Sequence, residues 1–157
     1  MIIMRDDEAY IHFQECINDL ISSLKIMDEL EGAVICATIW NAAYQKALID
    51  YAKPFKQSRG KDERRIPPLP FPLTPAADFK FHEKLLKLRD TFLAHNDLSE
   101  DKDAKLFVNV NAGPPLPVII SNTDPLLPDL SVVKAHVKRI LHAWCLQLEV
   151  IEQQFGK

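Results

Sequence analysis

The sequence predicts an all-α fold, a four- to five-helix up-down bundle with one small β-hairpin inserted before the last helix. Three observations predict it. Apolar residues recur at three- and four-residue spacing over long stretches. Breaks between those stretches fall at Gly32, at Pro54 and in a proline-rich run. Only one region, ahead of the last helix, pairs β-prone runs with Gly and Pro turn residues. With 157 residues, 47% of them hydrophobic, the chain suits one domain over residues 1–157 whose core needs neither a disulfide nor a structural metal.

Taking the elements in order, Tyr10, Phe13, Ile17, Leu20, Leu24 and Met27 mark an amphipathic helix from Asp6 to Leu30, with Asp6, Asp7 and Glu8 suiting its N-terminal dipole. After Gly32, "AVICATIWNAAYQKALIDYA" is apolar on most faces, as a helix packed inside a bundle would be, and Pro54 ends it. Residues 53–75 change character: six of the eleven prolines fall there, together with Lys53, Lys56, Arg59, Lys61, Arg64 and Arg65. This reads as a loop with a mobile basic half and a proline-rich half that lies extended along a surface. A third helix starts near Ala76 to Asp78 and runs to about Asn96, where "NDLSEDKD" is its polar exit. Within residues 105–121, Leu106 to Val110 and Val118 to Ile120 read as the hairpin. A last helix runs from about Ser131 to Gln154, with Val133, Val137, Ile140, Leu141, Trp144, Leu148 and Ile151 along one side. No internal repeat is visible.

Composition narrows the function classes. A net charge of −3, from 19 basic and 22 acidic residues, argues against coating nucleic acid through the overall field and leaves local basic patches open. Cys16, Cys36 and Cys145, odd in number and set among apolar residues, read as buried free thiols in a reducing compartment. "MIIMRDDEAY" reaches charge after four residues, and no run approaches the roughly 18 apolar residues of a bilayer span. A soluble, cytoplasmic protein with no membrane contact is the expectation. Four glycines are too few for a Gly-rich phosphate loop, and GxSxG and HExxH are absent. Nor has any cysteine pair zinc-ligand spacing, so neither metal nor cofactor is expected. Of the five histidines, His136 and His142 on the last helix read as partly exposed polar positions.

The best remaining candidate is "LRDTFLAHND", residues 88–97, with an arginine and a histidine six positions apart in an apolar helical pattern. On an ideal helix Phe81, Leu85, Leu88 and Phe92 form the centre of an apolar stripe. Arg89 and His95 flank it about 120° apart and roughly 9 Å along the axis. Arg89 has His82 and Asn96 as closer angular neighbours, and His95 lies above Leu88 and Lys84. A shared site therefore needs the reach of the arginine, a distorted helix end, or a second copy of the chain related by a two-fold axis. Such a cluster suits RNA cleavage without a metal. An imidazole titrating near neutrality takes the ribose 2′-hydroxyl proton or protonates the leaving oxygen, and a guanidinium fork holds the phosphate as charge builds. The competing reading is structural: Arg89 snorkels from a core face and His95 closes the helix C-terminus.

The ten residues resemble the signature of the HEPN superfamily (higher eukaryotes and prokaryotes nucleotide-binding), in which an arginine is followed by four to six residues and then a histidine. Five residues intervene here, and Asp90, Ala94 and Asn96 match the polar residue after the arginine and the Ala-His-polar ending of HEPN proteins related to abortive infection. The resemblance implies a helical bundle, a homodimer whose two motifs face one cleft, and a metal-independent endoribonuclease of phage defence or of a toxin-antitoxin system, with an antitoxin protein as a further partner. It makes Arg89 and His95 the catalytic pair, with Asp90 orienting or charging one of them and Asn96 as an additional site residue. Asp97 stands where the nucleotidyltransferase-paired subgroup has tyrosine, which disfavours that subgroup. Lys56, Arg59, Lys61, Arg64 and Arg65 are the RNA-binding candidates, weighed against a solvated linker. A non-catalytic dimerisation module and a nucleotide- or partner-binding module are the alternatives.

Overall fold

A computed structural model describes residues 6–59, 65–73, 75–90, 105–109, 116–120 and 127–155. Among them are four α-helices: α1 (Asp6–Leu30), α2 (Ala37–Ala52), α3 (Ala76–Leu88) and α4 (Leu130–Phe155). A 3₁₀ turn, Lys53–Phe55, follows α2 directly. Two short antiparallel ladders complete the description. β1 (Ser58–Arg59) pairs with β2 (Arg65–Ile66), and β3 (Lys105–Asn109) pairs with β4 (Leu116–Ile120), Phe107 standing opposite Val118. No helix among the described residues is long and apolar enough to cross a membrane.

The periodicity of α1 becomes its buried face: Cys16, Ile17, Leu20, Leu24, Met27 and Leu30 are all in the core. Ser23 interrupts that stripe without cost, because its hydroxyl donates to the Ala47 carbonyl at 2.7 Å and ties α1 to α2. Side-chain contacts show α1 running antiparallel to both neighbours. Lys53 meets Asp19 and Trp40 Nε1 donates to the Leu30 carbonyl on the α2 side, while Tyr10 donates to Glu152 and Lys134 meets Asp28 and Glu31 on the α4 side. Gly32 ends α1 at φ 76°, a left-handed conformation that a Cβ disfavours. Nothing lies within 4 Å of where that Cβ would stand, so the backbone alone sets the penalty. Gly32→Ala should therefore destabilise the fold by about 1 kcal/mol and Gly32→Asn by less, read from urea midpoints.

After Gly32 the chain departs from the pattern. Residues 33–36 are not helical, and Val34 is fully exposed at 101%, with Ile35 and Ile39 also exposed. Burial begins at Tyr44 and continues through Ala47, Leu48, Tyr51 and Ala52, so only the second half of α2 is the enclosed helix that its composition suggests. The thiol expectation needs a similar correction. Cys16 is buried, Cys145 is half-buried and Cys36 is exposed, because it belongs to this uncovered entrance to α2. Segment 53–75 is not one open loop either. Pro54, Phe55 and Ile66 are buried, the Leu69 amide donates to the Pro54 carbonyl at 2.9 Å, and Leu69, Phe71 and Leu73 pack on the core.

At the start of α4, Asp129 Oδ1 accepts from the amides of Ser131 and Val132 at 2.9 and 3.2 Å, satisfying two of the orphan donors of the first turn. The buried stripe of α4 then runs Val133, Val137, Ile140 and Trp144. His136 falls within that stripe, three residues from Val133 and four from Ile140, and it is fully buried, contrary to the sequence expectation. His142 is exposed.

Candidate functional site

The motif begins where α3 changes its winding. Leu88 is the last α-helical residue, and Arg89 and Asp90 are π-helical; the Arg89 amide is shared between the Leu85 and Leu86 carbonyls. At Arg89 and Asp90 the winding therefore departs from the ideal helix on which the motif was drawn. Spacings of four, three and four residues place Asp78, His82, Leu85 and Arg89 along one face of α3. That face carries two connected polar groups.

The first lies at the C-terminal end. Arg89 Nη1 donates to Asp90 Oδ1 at 2.9 Å, and Lys56 Nζ donates to Asp90 Oδ2. Burial tends to raise the Asp90 pKa, but the hydrogen bonds and charges of Lys56 and Arg89 outweigh it and hold the carboxyl below its ordinary value. Lys56 reaches this point because its neighbour Phe55 is anchored in the core. The Phe55 ring packs at 5.3 Å from Trp144, 5.5 Å from Tyr51 and 4.4 Å from His82. Thus three sequence candidates, Lys56, Arg89 and Asp90, come together although 34 positions separate the first from the last.

Two turns back along α3 lies the second group, which is buried. Tyr51 Oη sits 2.7 Å from His82 Nδ1 and 3.1 Å from His136 Nε2, joining α2, α3 and α4. The phenol has a single proton to donate, so at least one imidazole presents an N–H to its oxygen. Phe71 stacks over both rings, at 4.4 Å from His82 and 5.9 Å from His136. Beyond His136, Asp78 Oδ1 lies 3.6 Å from Nδ1, outside hydrogen-bond range, and pairs with Arg139 at 2.5 Å. Burial, helped by the charges of His136 and Lys56, lowers the His82 pKa to about 4; burial and Arg139 lower that of His136, with Asp78 opposing. Burial likewise raises the Tyr51 hydroxyl. Near neutral pH the group is uncharged and serves as a buried core network rather than an acid-base pair, with His136 Nδ1 left without a hydrogen-bond partner.

Arg59 and Arg65 stand opposite each other in the β1–β2 ladder. Lys61, Arg64, His95 and Asn96 lie outside the described residues. Among those described, no group of three or more His, Cys, Asp or Glu side chains could hold a metal ion. Cys16, close to His12 with Sγ 3.7 Å from Nε2, is no nucleophile, because burial, with Asp19 and Glu15, pushes its thiol up to about 12. Sequence reasoning missed the Tyr51–His82–His136 network. One signal was present, the position of His136 within the apolar stripe of α4. Comparison with family models, curated proteins and solved structures gives no match for this chain.

Proposed function

We propose that the chain is a metal-independent endoribonuclease of the HEPN type. In this reading it is an up-down helical bundle with a β-hairpin inserted before the last helix, and it acts as a cytoplasmic homodimer in phage defence or a toxin-antitoxin system. The observation that carries the proposal is the pairing of both Arg89 and Lys56 with Asp90, which stands with Arg89 on the π-helical turn of the motif. An arginine oriented by a neighbouring carboxylate, with a lysine from another element beside it, is equipped to hold a phosphodiester.

Arg89 and His95 from two subunits then share one cleft. His95 removes the ribose 2′-hydroxyl proton, the 2′-oxygen attacks phosphorus and Arg89 holds the charge building on the phosphoryl oxygens. The 5′-oxygen leaves with a proton returned by an imidazolium. A 2′,3′-cyclic phosphate and a 5′-hydroxyl result. Neither buried histidine enters this scheme, because His82 and His136 are enclosed and held neutral.

The test is cleavage of mixed RNA by the purified protein in EDTA, with DNA as a substrate lacking the nucleophile. RNA should be cut and DNA left intact, and Arg89→Ala and His95→Ala should each lower the rate about 100-fold. Equal cleavage by wild type and both variants, or none by wild type, overturns the assignment.

A further inference from the structure

Two cations at the C-terminal end of α3 share a single carboxylate supplied by the chain itself. Both Asp90 oxygens are engaged, Oδ1 by Arg89 at 2.9 Å and Oδ2 by Lys56. All three groups are reachable from solvent: the side chains of Arg89, Lys56 and Asp90 are 26%, 33% and 42% exposed. A carboxylate bound in this way has two oxygens on one centre sharing one negative charge. The non-bridging oxygens of a phosphodiester have the same character, and guanidinium and ammonium donors serve both acceptors. Without Asp90, Arg89 and Lys56 would present two positive charges side by side; with it, the group keeps one.

We propose that Arg89 and Lys56 form a phosphate subsite which Asp90 occupies in the absence of ligand, so that an incoming polyanion binds by displacing the carboxylate. The subsite itself rests on this geometry, and the choice of RNA as its polyanion rests on the ribonuclease reading above. Displacement selects for polymers. A lone anion merely exchanges one negative group for another, whereas a chain of phosphates that also touches neighbouring cations gains from each further contact. Asp90 thus keeps the arginine engaged until a multivalent ligand arrives.

This differs in sign from a purely orienting role. If Asp90 only aims Arg89, its removal weakens phosphate binding; if it competes for the same donors, its removal strengthens binding. Two probes separate the subsite from the enzyme assignment: inorganic polyphosphate, followed by calorimetry, and a labelled 2′-O-methyl oligoribonucleotide, which cannot be cleaved, followed by fluorescence anisotropy. Asp90→Asn should bind polyphosphate about fivefold more tightly than wild type, the effect of removing one like charge a few ångströms away in a solvated setting. Lys56→Gln should weaken binding by a similar factor and shrink the gain from Asp90→Asn in the double variant. Asp90→Ala makes the same charge change, so whichever variant keeps the wild-type melting behaviour gives the measurement. Unchanged or weaker polyphosphate binding on loss of the carboxylate overturns the proposal. Tighter polyphosphate binding with RNA neither bound nor cut leaves the subsite standing and removes the ribonuclease reading; RNA cleavage with no tightening does the reverse.

Discussion

Acidification from about pH 7 to about pH 4 should cost the fold roughly 3 kcal/mol through His82 alone, because each unit of pKa difference between folded and unfolded states is worth about 1.4 kcal/mol. The imidazole falls from an unfolded value of 6.5 to about 4 in the folded protein. Between those values the unfolded chain binds a proton that the folded chain refuses, so stability is full above pH 6.5 and is lost as the pH drops towards 4. The refusal has a structural cause. His82 is enclosed by Tyr51, Phe55, Phe71 and Phe79, and the charges that act on it, those of His136 and Lys56, are positive. His136 and His12 are lowered as well and add in the same direction. Asp50, Asp78 and Asp90, held below the ordinary carboxylate value of 3.8, stabilise above that value and lose their contribution only at lower pH. Urea midpoints across this range should therefore fall well before the carboxylates titrate. His82→Gln, which keeps a polar group near Tyr51 without a titrating ring, should flatten much of the slope; a wild-type profile flat between pH 6.5 and 4.5 would refute the assignment.

The contrast between α1 and α2 shows what the sequence made legible. In α1, apolar spacing alone marks the helix from Asp6 to Leu30 and the face it buries. At α2, the apolar run from Ala33 suggests a helix buried along its whole length, yet Val34 and Ile35 lie ahead of the helix and are exposed, as is Ile39 within it, because apolar composition does not say whether a neighbour reaches that end. At the candidate site, Arg89 and Asp90 stand out from a local motif that the chain prints in order. Their meeting with Lys56 does not: it depends on where the 3₁₀ turn after α2 delivers the backbone, a long-range property with no local signature. The burial of His136 is hidden in the sequence for a different reason. A histidine is ordinarily half-exposed, and here a tyrosine on another helix engages its Nε2 within the core while Nδ1 is left without a partner.

Phe55→Ala is expected to destabilise the protein by about 3 to 5 kcal/mol, the range for truncating a buried aromatic that leaves a cavity. Phe55 is 6% exposed and joins elements that are distant in sequence: Tyr51 on α2, Phe71 in the proline-rich segment, His82 on α3 and Trp144 on α4. Its loss removes the wall that keeps water from His82, so the acid sensitivity of the variant should shrink along with its stability. The effect also reaches the candidate site, because Lys56 is the next residue and owes its approach to Asp90 to the anchoring of that ring. Phe55→Leu, which keeps most of the apolar volume, should cost much less, about 1 kcal/mol. Chemical denaturation of both variants measures the stabilities. Polyphosphate affinity of Phe55→Leu then reports whether Lys56 stays in place when the core is nearly intact. A Phe55→Ala variant as stable as wild type would show that this ring does not hold the four segments together.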